Sequence, residues 1–351
     1  MNDVLPDLQT WIDRGDRIAL ATVVSVKKSA PRPPGAKMAV NESGDIIGAV
    51  SGGCVEGAVV GIADEVLRGG PPRLVRFGIA DEEAWDVGLP CGGEIDVWVQ
   101  ELSPGRFVDI AAAGGRAAEI TLLEGDQAGA KLLVAQGDGV VSGGLGSPEL
   151  DAQAQRDAEE LIWAETSELR GPTFVDVVGP APRLIVFGAV PVAAALCTLA
   201  RAAGWRGFVV DPRARFATQD RFPDAERVIA AWPDEAFAQL GGIDPATSIA
   251  VLTHDPKLDD AALGVALRSP ARFVGAMGSR RAQEARRERL LAAGFTDAEL
   301  ERLAAPVGLD LGALSAEETA LSILAEMVAI SHGRDGGRLK RAGGRIHEVA
   351  A

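Results

Sequence analysis

The chain has 351 residues, enough for about two domains at the usual ~150 residues each. Its formal net charge of −15 argues against a nucleic-acid-binding protein and against attachment to an anionic membrane surface. Three cysteines in a chain of this length do not form a disulfide framework, and no signal peptide is apparent, so we expect a cytoplasmic protein with reduced thiols.

The first half of the chain is predicted to combine helices with antiparallel strands. Apolar residues at helical spacing near the start predict a short amphipathic helix. Alternating segments follow, and two of them flank a Glu-Ser-Gly-Asp turn as a hairpin. The predicted elements are a helix within residues 1–17, strands at 18–26, 36–40, 46–50, 74–77 and 94–100, and a helix that ends near Arg68.

A glycine-containing stretch joins the hairpin to the following helix and places Cys54 near the helix N-terminus. Backbone N–H groups there lack helical partners and carry partial positive charge, and glycines let them approach a ligand closely. A thiol in that position ionises readily. We interpret the stretch as an anion site with a reactive or metal-binding thiolate, formed by Ser51, Gly52, Gly53, Cys54 and Glu56. The alternative is a buried structural cysteine in a glycine turn.

A second glycine-rich loop contains Cys91, Gly92 and Gly93 and supplies a candidate partner for the Cys54 thiol. Cys197 lies among Ala and Leu in a predicted helix, so we assign it to the core. No His and Cys spacing matches a zinc site.

The first half also contains a degenerate internal repeat. Gly35–Val40 recurs as Gly129–Val134, and Gly48–Cys54 then aligns with Gly143–Glu149. Glu149 thus stands where the first copy has Cys54, so the thiol is an addition to a shared scaffold.

A helix is predicted after each copy of the repeat, at about residues 150–165 in the second. The strand at 174–178 is expected to correspond to that at 74–77. We infer two similar units, about residues 18–78 and 116–178, packed in one domain.

Buried strands alternate with helices after Pro180-Ala181-Pro182, which we interpret as a linker. This alternation predicts a doubly wound parallel sheet of Rossmann-like type. The predicted strands are 184–187, 208–210, 228–231, 248–252 and 273–275, with helices from Pro191, Leu258 and Arg280 and a last helix capped by Ser315. The predicted fold class is therefore α/β, with an N-terminal α+β domain (1–179), a C-terminal Rossmann-like domain (180–332) and a mobile tail (333–351).

The turn at Gly188 only partly matches a dinucleotide-binding motif. Such a motif needs Gly-x-Gly-x-x-Gly after a strand and an acidic residue about 20 residues on. Asp211 supplies the acidic residue, but Val190 occupies the position where glycine lets the backbone touch the pyrophosphate. Nucleotide binding at Gly188 and Asp211 is therefore doubtful, although the fold is expected.

Polar residues follow two further strands of the predicted parallel sheet. Ligands in such sheets bind beyond the carboxyl ends of the strands. We therefore predict a cofactor-binding cluster at this edge, and its members are His254, Asp255, Gly278, Ser279 and Arg280. For His254 a capping or packing role is an equal alternative.

Taken together, several motifs resemble the XdhC/CoxI family of xanthine dehydrogenase accessory proteins. The likeness extends to about His332 and rests on Pro31–Arg32, Gly35–Met38, Ser51–Glu56, Gly88–Gly93, Leu252–Asp259, Phe273–Arg281 and Pro306–Gly312. Many family members have Gly-Ala-Gly-His where this chain has Gly188-Ala189-Val190-Pro191, which departs from the pattern at the nucleotide turn.

The resemblance implies a chaperone rather than an enzyme: a maturation factor that binds the molybdenum cofactor (molybdopterin) and promotes its sulfuration and insertion. The client would be a molybdenum hydroxylase apoenzyme such as xanthine or carbon monoxide dehydrogenase. Cys54 and Cys91 match the family's two motif cysteines and would act as catalytic thiols or as ligands of the cofactor's molybdenum. A cysteine desulfurase is a further candidate partner, and we expect a homodimer.

Two other functions stay open on the sequence. An NAD(P)-dependent oxidoreductase would use the Gly188 turn and Asp211, and Val190 argues against it. A sulfur-transferase would carry a persulfide on Cys54 through a covalent intermediate, whereas a chaperone would release an intact cofactor.

Overall fold

The computed structural model describes residues 1, 3–27, 31–78 and 93–341. The chain divides into two compact units, the first running from Met1 to Pro180 and the second beginning at Ala181. Among the described residues, no helix combines the length and apolar character that a membrane span requires.

The first unit begins with a helix and a five-stranded antiparallel sheet in the order β3-β2-β1-β5-β4. Its elements are α1 (Leu5–Arg14), β1 (Ile18–Lys27), β2 (Lys37–Asn41), β3 (Ile46–Gly48), α2 (Glu56–Leu67), β4 (Arg73–Phe77) and β5 (Glu94–Glu101). The predicted hairpin and the helix after Cys54 are both confirmed.

The second copy repeats this arrangement with the strand order β8-β7-β6-β10-β9. Its elements are α3 (Arg106–Ala112), β6 (Ala117–Leu122), β7 (Lys131–Ala135), β8 (Gly139–Gly143), α4 (Pro148–Ala164), β9 (Glu168–Arg170) and β10 (Thr173–Val178). The predicted internal repeat is therefore confirmed as a repeat of topology.

Gly48 and Gly143 show why glycine recurs in both copies. Each has a positive φ, and a Cβ there would lie 2.3 Å from the Lys37 carbonyl oxygen or 2.0 Å from that of Lys131. The same two carbonyls accept the amides of the residues that follow, Ala49 and Gly144. The close approach of strand and turn therefore excludes any side chain at either position.

The predicted correspondence of residues 174–178 with 74–77 is wrong. In the strand order β10 occupies the place of β5, and the short strand β9 occupies that of β4. The first copy therefore extends beyond residue 78 to Glu101. The error arose because β9 has three residues and lacks a pattern that marks a strand.

In the first unit, a helix packs on one face of each sheet, and the other faces of the two sheets face each other. Helix α2 packs on the first sheet through Val59 and Val66, and α4 packs on the second through Ala158 and Leu161. Between the sheets, one cluster combines residues of both copies: Val24, Trp98, Leu123 and Phe174.

The second unit is a six-stranded parallel sheet in the order β13-β12-β11-β14-β15-β16. Its strands are β11 (Arg183–Phe187), β12 (Arg206–Val210), β13 (Arg227–Ile229), β14 (Thr247–Val251), β15 (Phe273–Ala276) and β16 (Leu303–Ala304). This is the strand order of a doubly wound dinucleotide-binding fold, so the Rossmann-like prediction is confirmed.

Helices cover both faces of the parallel sheet. They are α5 (Pro191–Ala202), α6 (Pro233–Gln239), α7 (Pro256–Ala266), α8 (Arg280–Ala292), α9 (Asp297–Glu301) and α10 (Ala316–Ser331). Helices α5 and α10 share one apolar cluster with the sheet, whereas α6, α7 and α8 share the other. The predicted capping box at Ser315 is present, with Glu318 as its partner. The predicted tail lies partly outside the described residues, so its mobility stays a prediction.

Candidate functional site

The Cys54 turn lies between β3 and α2, as the sequence predicts. Gly52 and Gly53 have φ values of +101° and +116°, a region that L side chains rarely adopt. Val55 is the residue before the helix, so Cys54 stands one residue further out. With glycines in this conformation, successive backbone N–H groups converge on one point.

The group at that point is the carboxylate of Glu56, the first residue of α2. Its Oε1 accepts the amides of Ser51 at 2.8 Å and Gly52 at 2.9 Å. Its Oε2 accepts the Gly53 amide at 2.8 Å, the Val55 amide at 3.1 Å and the Ser51 hydroxyl at 2.7 Å. The anion held by this turn is thus the protein's own, and an external phosphate would have to displace it.

The hydrogen bonds decide the protonation state of Glu56. Burial acts to raise its pKa, but the donated bonds from the Ser51 hydroxyl and from the Ser51 and Gly52 amides outweigh burial and lower the pKa to about 2. Glu56 is therefore fully ionised at neutral pH.

Cys54 is a free, half-buried cysteine at the outer side of this turn. Its amide donates to the Ser51 hydroxyl at 3.1 Å, and its side chain packs against the apolar cluster under α2. Cys197 is fully buried in α5, and burial raises its pKa to about 12, which agrees with its predicted place in the core. The predicted site residues Cys91 and Gly92 lie outside the described residues, and Gly93 is buried just before β5.

The second copy keeps the carboxylate but not the thiol. Asp151 occupies the position equivalent to Glu56 and accepts the Leu145 amide at 2.6 Å. Ser147 caps α4 by accepting the Leu150 amide at 3.2 Å. The carboxylate that ties turn to helix therefore belongs to the shared scaffold, whereas Cys54 does not.

In the second unit, the Gly188 turn follows β11 at the carboxyl edge of the sheet. A Cβ on Gly188 would lie 2.8 Å from the Thr253 side chain, so the turn and the end of β14 are in contact. The Ala189 amide donates to Asp211 at 2.9 Å. Asp211 is 1% exposed, so the bond between its carboxylate and the turn is buried.

Asp211 is also held by the residue two positions on. It accepts the Arg213 amide at 2.9 Å and the guanidinium at 2.9 Å and 2.6 Å. Burial acts to raise the pKa of Asp211, but these bonds and that from Ala189 outweigh it and lower the pKa. An acidic residue that would bind a ribose hydroxyl is thus already satisfied within the chain.

The other predicted residues at this edge lie in the loops after β14 and β15. Asp255 caps α7 by accepting the Lys257 amide at 2.9 Å, and Ser279 caps α8 by accepting the Ala282 amide at 3.2 Å. His254 and Arg280 are exposed. The sheet therefore brings Gly188, Asp211, His254, Asp255, Gly278, Ser279 and Arg280 to its carboxyl edge.

Sequence reasoning missed the buried ion pair that joins these two loops. Asp259 of α7 accepts the Thr253 hydroxyl and bonds to Arg286 of α8 at 2.6 Å, and both side chains are almost fully buried. Arg286 also donates to the Met277 carbonyl at 3.1 Å. The many charged residues of α8 are typical of a solvated helix face, and only the packing shows that Arg286 turns inward.

Within the described ranges no cluster of three or more His, Cys, Asp or Glu side chains is arranged to hold a metal ion. A role of Cys54 and Cys91 as molybdenum ligands stays a prediction, because Cys91 lies outside those ranges.

Comparison with known proteins places the fold in a family. Residues 184–327 match the XdhC Rossmann domain, and residues 11–78 match the XdhC and CoxI family. The chain is 30% identical over 320 residues to the molybdenum cofactor insertion chaperone PaoD of Escherichia coli, an alignment that covers 90% of this chain and 84% of PaoD. The chain belongs to the XdhC and CoxI family. The resemblance in the sequence motifs is thereby confirmed.

Two further relatives have similar coverage. The chain is 27% identical over 332 residues to a probable xanthine dehydrogenase subunit from Bacillus subtilis, covering 92% of this chain and 95% of that one. A crystal structure of a protein named xanthine dehydrogenase from Bacillus halodurans superimposes with a TM-score of 0.70 at 25% identity, covering 97% and 98% of the two chains. The likeness thus extends over both units.

Proposed function

We propose that this XdhC/CoxI-family protein is a chaperone that binds the molybdenum cofactor and inserts it into a molybdenum hydroxylase. The name and 30% identity of PaoD support an insertion chaperone, and the name of the Bacillus subtilis relative supports a client of the xanthine dehydrogenase type. The observation that carries the site is a free, half-buried thiol beside converging amides that hold an anion.

In this proposal Cys54 binds the metal end of the cofactor, because thiolates suit soft metal centres. The cofactor's phosphate would replace the Glu56 carboxylate on the amides of Ser51, Gly52 and Gly53. The exchange is chemically matched, since both groups are anions that accept several N–H bonds at a helix N-terminus. Cys91 would supply the second thiol of the same site.

The proposal favours a chaperone over an NAD(P)-dependent oxidoreductase. Helix α5 begins with Pro191, which has no N–H to offer a pyrophosphate, and the Asp211 carboxylate is already bonded to Ala189 and Arg213. Both features remove contacts on which dinucleotide binding depends.

A sulfur-transfer role is the second candidate, and the free Cys54 thiol favours it. In that role the Cys54 thiolate would take the outer sulfur of a cysteine desulfurase persulfide and release the desulfurase thiolate. A second thiol, that of Cys91, would then reduce the Cys54 persulfide, forming a Cys54–Cys91 disulfide and releasing sulfide that exchanges with an oxygen ligand of the bound cofactor, which leaves as water. Homodimer formation and cytoplasmic location belong to the same proposal.

The test is to purify the chain from cells that make the cofactor and to measure molybdenum and pterin per protein. Cys54→Ala and Cys91→Ala are compared with Cys197→Ala, the same change of a cysteine that lies in the core. We expect both motif variants to lose most of the cofactor and the Cys197 variant to keep it. Unchanged retention in both motif variants would contradict the proposed site.

Two readouts separate the alternative functions. Mass spectrometry after incubation with a desulfurase and cysteine detects a gain of one sulfur on Cys54 if the transfer role is correct. A thermal shift on addition of NAD(P) would support the oxidoreductase, because a ligand that binds only the native state stabilises it. We expect no such shift.

A further inference from the structure

An ion pair joins the loop before β2 to the segment before α1. The guanidinium Nη2 of Arg32 donates to the carboxylate of Asp3, and the two side chains are 34% and 44% exposed. Burial acts to raise the pKa of Asp3, but the bond from Arg32 and the nearby positive charges outweigh burial and lower that pKa. Asp3 is therefore an anion at neutral pH, and it occupies the arginine in this structure.

The ion pair lies beside the glycine turn that precedes α2, because a neighbour of each partner packs there. A Cβ on Gly52 of the turn would lie 3.8 Å from the Cβ of Pro31, the residue before the arginine. A Cβ on Gly48, at the end of β3, would lie 2.6 Å from Cγ1 of Val4, the residue after the aspartate. Both partners thus belong to segments that contact the turn or the strand that leads into it.

The guanidinium of Arg32 keeps one donor unused. Its Nε is buried, and no residue in the described part of the chain accepts a hydrogen bond from it. The Nε and Nη2 hydrogens form one edge, through which arginine binds an oxyanion by two parallel bonds. Asp3 uses only the Nη2 half of that edge. Because a buried donor without an acceptor is unfavourable, the unfilled half indicates an oxyanion that binds both nitrogens.

The turn and the ion pair are alike in what occupies them. Each presents donors to an anion, and in each that anion is a carboxylate of the chain, Glu56 on the turn amides and Asp3 on Arg32. A phosphate monoester carries roughly 1.5 to 2 negative charges at neutral pH, whereas Glu56 carries one. Exchange at the turn alone would therefore add negative charge, and release of Asp3 frees a positive charge to balance it.

We propose that Arg32 is a ligand-binding residue of the Cys54 site and that Asp3 occupies this arginine until an external anion binds. A tetrahedral oxyanion, either phosphate or a phosphate monoester, replaces Glu56 on the turn amides and Asp3 on the Nε and Nη2 edge. Its several oxygens serve both sets of donors at once, which neither carboxylate does. The inference rests on the exchange at Glu56 in the proposed function, to which it adds the charged side chain that binds the incoming anion.

The test measures the affinity of inorganic phosphate for the full chain carrying Glu56→Ala, in which the turn amides are free. Calorimetry and the thermal midpoint follow binding, with chloride at the same ionic strength as the reference. Adding Arg32→Ala is expected to weaken phosphate binding at least about tenfold, because a charged contact of two hydrogen bonds is lost. Arg32→Lys keeps the charge but not the edge, and it is expected to restore part of the affinity.

Asp3→Asn is expected to act in the opposite direction. It removes the carboxylate that competes for Arg32, so phosphate should bind about two- to fivefold more tightly because a larger fraction of the arginine is free. In the presence of Arg32→Ala the same change should leave phosphate affinity unaltered. A residue that only stabilises the fold would not show this dependence, so the double-mutant comparison separates competition from a structural role.

The controls change the same residue types away from the turn. Arg17→Ala removes an exposed arginine that pairs with Glu101, and Asp7→Asn neutralises an exposed carboxylate of α1. Neither is expected to change phosphate affinity. If Arg32→Ala does not fold, Arg32→Lys and Asp3→Asn still give opposite expected changes.

Phosphate affinity that Arg32→Ala leaves unchanged would overturn the proposal, as would an Asp3→Asn variant that binds phosphate no more tightly. In both cases phosphate binding by Glu56→Ala would still support the exchange at the turn. Cofactor retention that Cys54→Ala leaves unchanged, with the phosphate series as expected, would count against the proposed function alone.

Discussion

Each unit has a glycine turn that holds a carboxylate of the chain itself, but the two turns hold it differently. Glu56 lies in the same turn and helix end as the amides it binds, all within five residues. Asp211 reaches the Ala189 amide from a neighbouring strand, 22 residues away, and Arg213 holds it in addition. A rotation of the Glu56 side chain empties the first turn, whereas emptying the second also breaks the ion pair between Asp211 and Arg213.

The starts of the helices that follow the two turns also differ in how well they could bind an external anion. The amide of Val55, the residue before α2, binds Glu56, whereas α5 begins with a proline that has no N–H. A glycine turn before a helix therefore predicts a bound anion, but it does not tell whether that anion is a carboxylate of the chain or an external ligand. We infer that an external anion can replace Glu56 in its turn, whereas Asp211 has a structural role in holding the Gly188 turn.

The largest effect is expected from Asp211→Ala. The substitution leaves the buried Ala189 amide and the Arg213 groups without their acceptor, which costs about 2–4 kcal/mol of unfolding free energy. Denaturant unfolding of the second unit measures it. Asp220→Ala, a change of an exposed acidic residue nearby, is the control and is expected to have almost no effect. Equal losses of unfolding free energy in the two variants would show that Asp211 does not stabilise the Gly188 turn.

Glu56→Ala is expected to cost less, about 1–3 kcal/mol, because water reaches the freed amides. Inorganic phosphate should then raise the thermal midpoint of this variant, since the empty amides bind an anion. The same phosphate should not stabilise Asp211→Ala. Asp151→Ala, the matched change in the second copy, frees the Leu145 amide and should cost less still. Phosphate stabilisation of both Glu56→Ala and Asp211→Ala would remove the difference between the turns.

The pH dependence of stability should also reveal Glu56. Its ordinary pKa is 4.5 and its folded pKa is about 2, so its contribution is present above about pH 4.5 and is lost as the pH falls toward 2. The stability difference between the wild type and Glu56→Gln should therefore shrink over this range. Unfolding experiments at stepwise pH measure it, and a constant difference would contradict the hydrogen-bonded carboxylate.

The smallest effect is expected at the backbone of the Cys54 turn. A Cβ on Gly53 meets no atom within 4 Å, so Gly53→Ala tests the positive φ alone and should cost about 1–2 kcal/mol. Gly61→Ala lies inside α2 with equally free space and should instead add up to about 1 kcal/mol. Opposite changes of the unfolding free energy for these two Gly→Ala substitutions would establish that Gly53 has a positive φ.

Much of the fold was predictable because local pattern dictates it. The strands of the parallel sheet are continuous apolar runs, and Pro191 and Ser315 mark helix starts by chemistry that needs no tertiary contact. The repeat was detectable because Gly48 and Gly143 both meet a backbone carbonyl that tolerates no side chain. The correspondence of β9 with β4 was not detectable from the sequence, because a strand of three residues carries no periodicity.

By itself, the sequence determined the two kinds of sheet, the repeat, the family and the place of Cys54 before a helix. These depend on periodicity, glycine and proline, whose effects act within a few residues. Only the tertiary structure decided that Glu56 and Asp211 accept hydrogen bonds from the two turns, that Arg286 points inward, and that Asp3 pairs with Arg32. Each of those depends on groups from separate segments of the chain meeting in space, and hydrogen bonds act only at such contact distances.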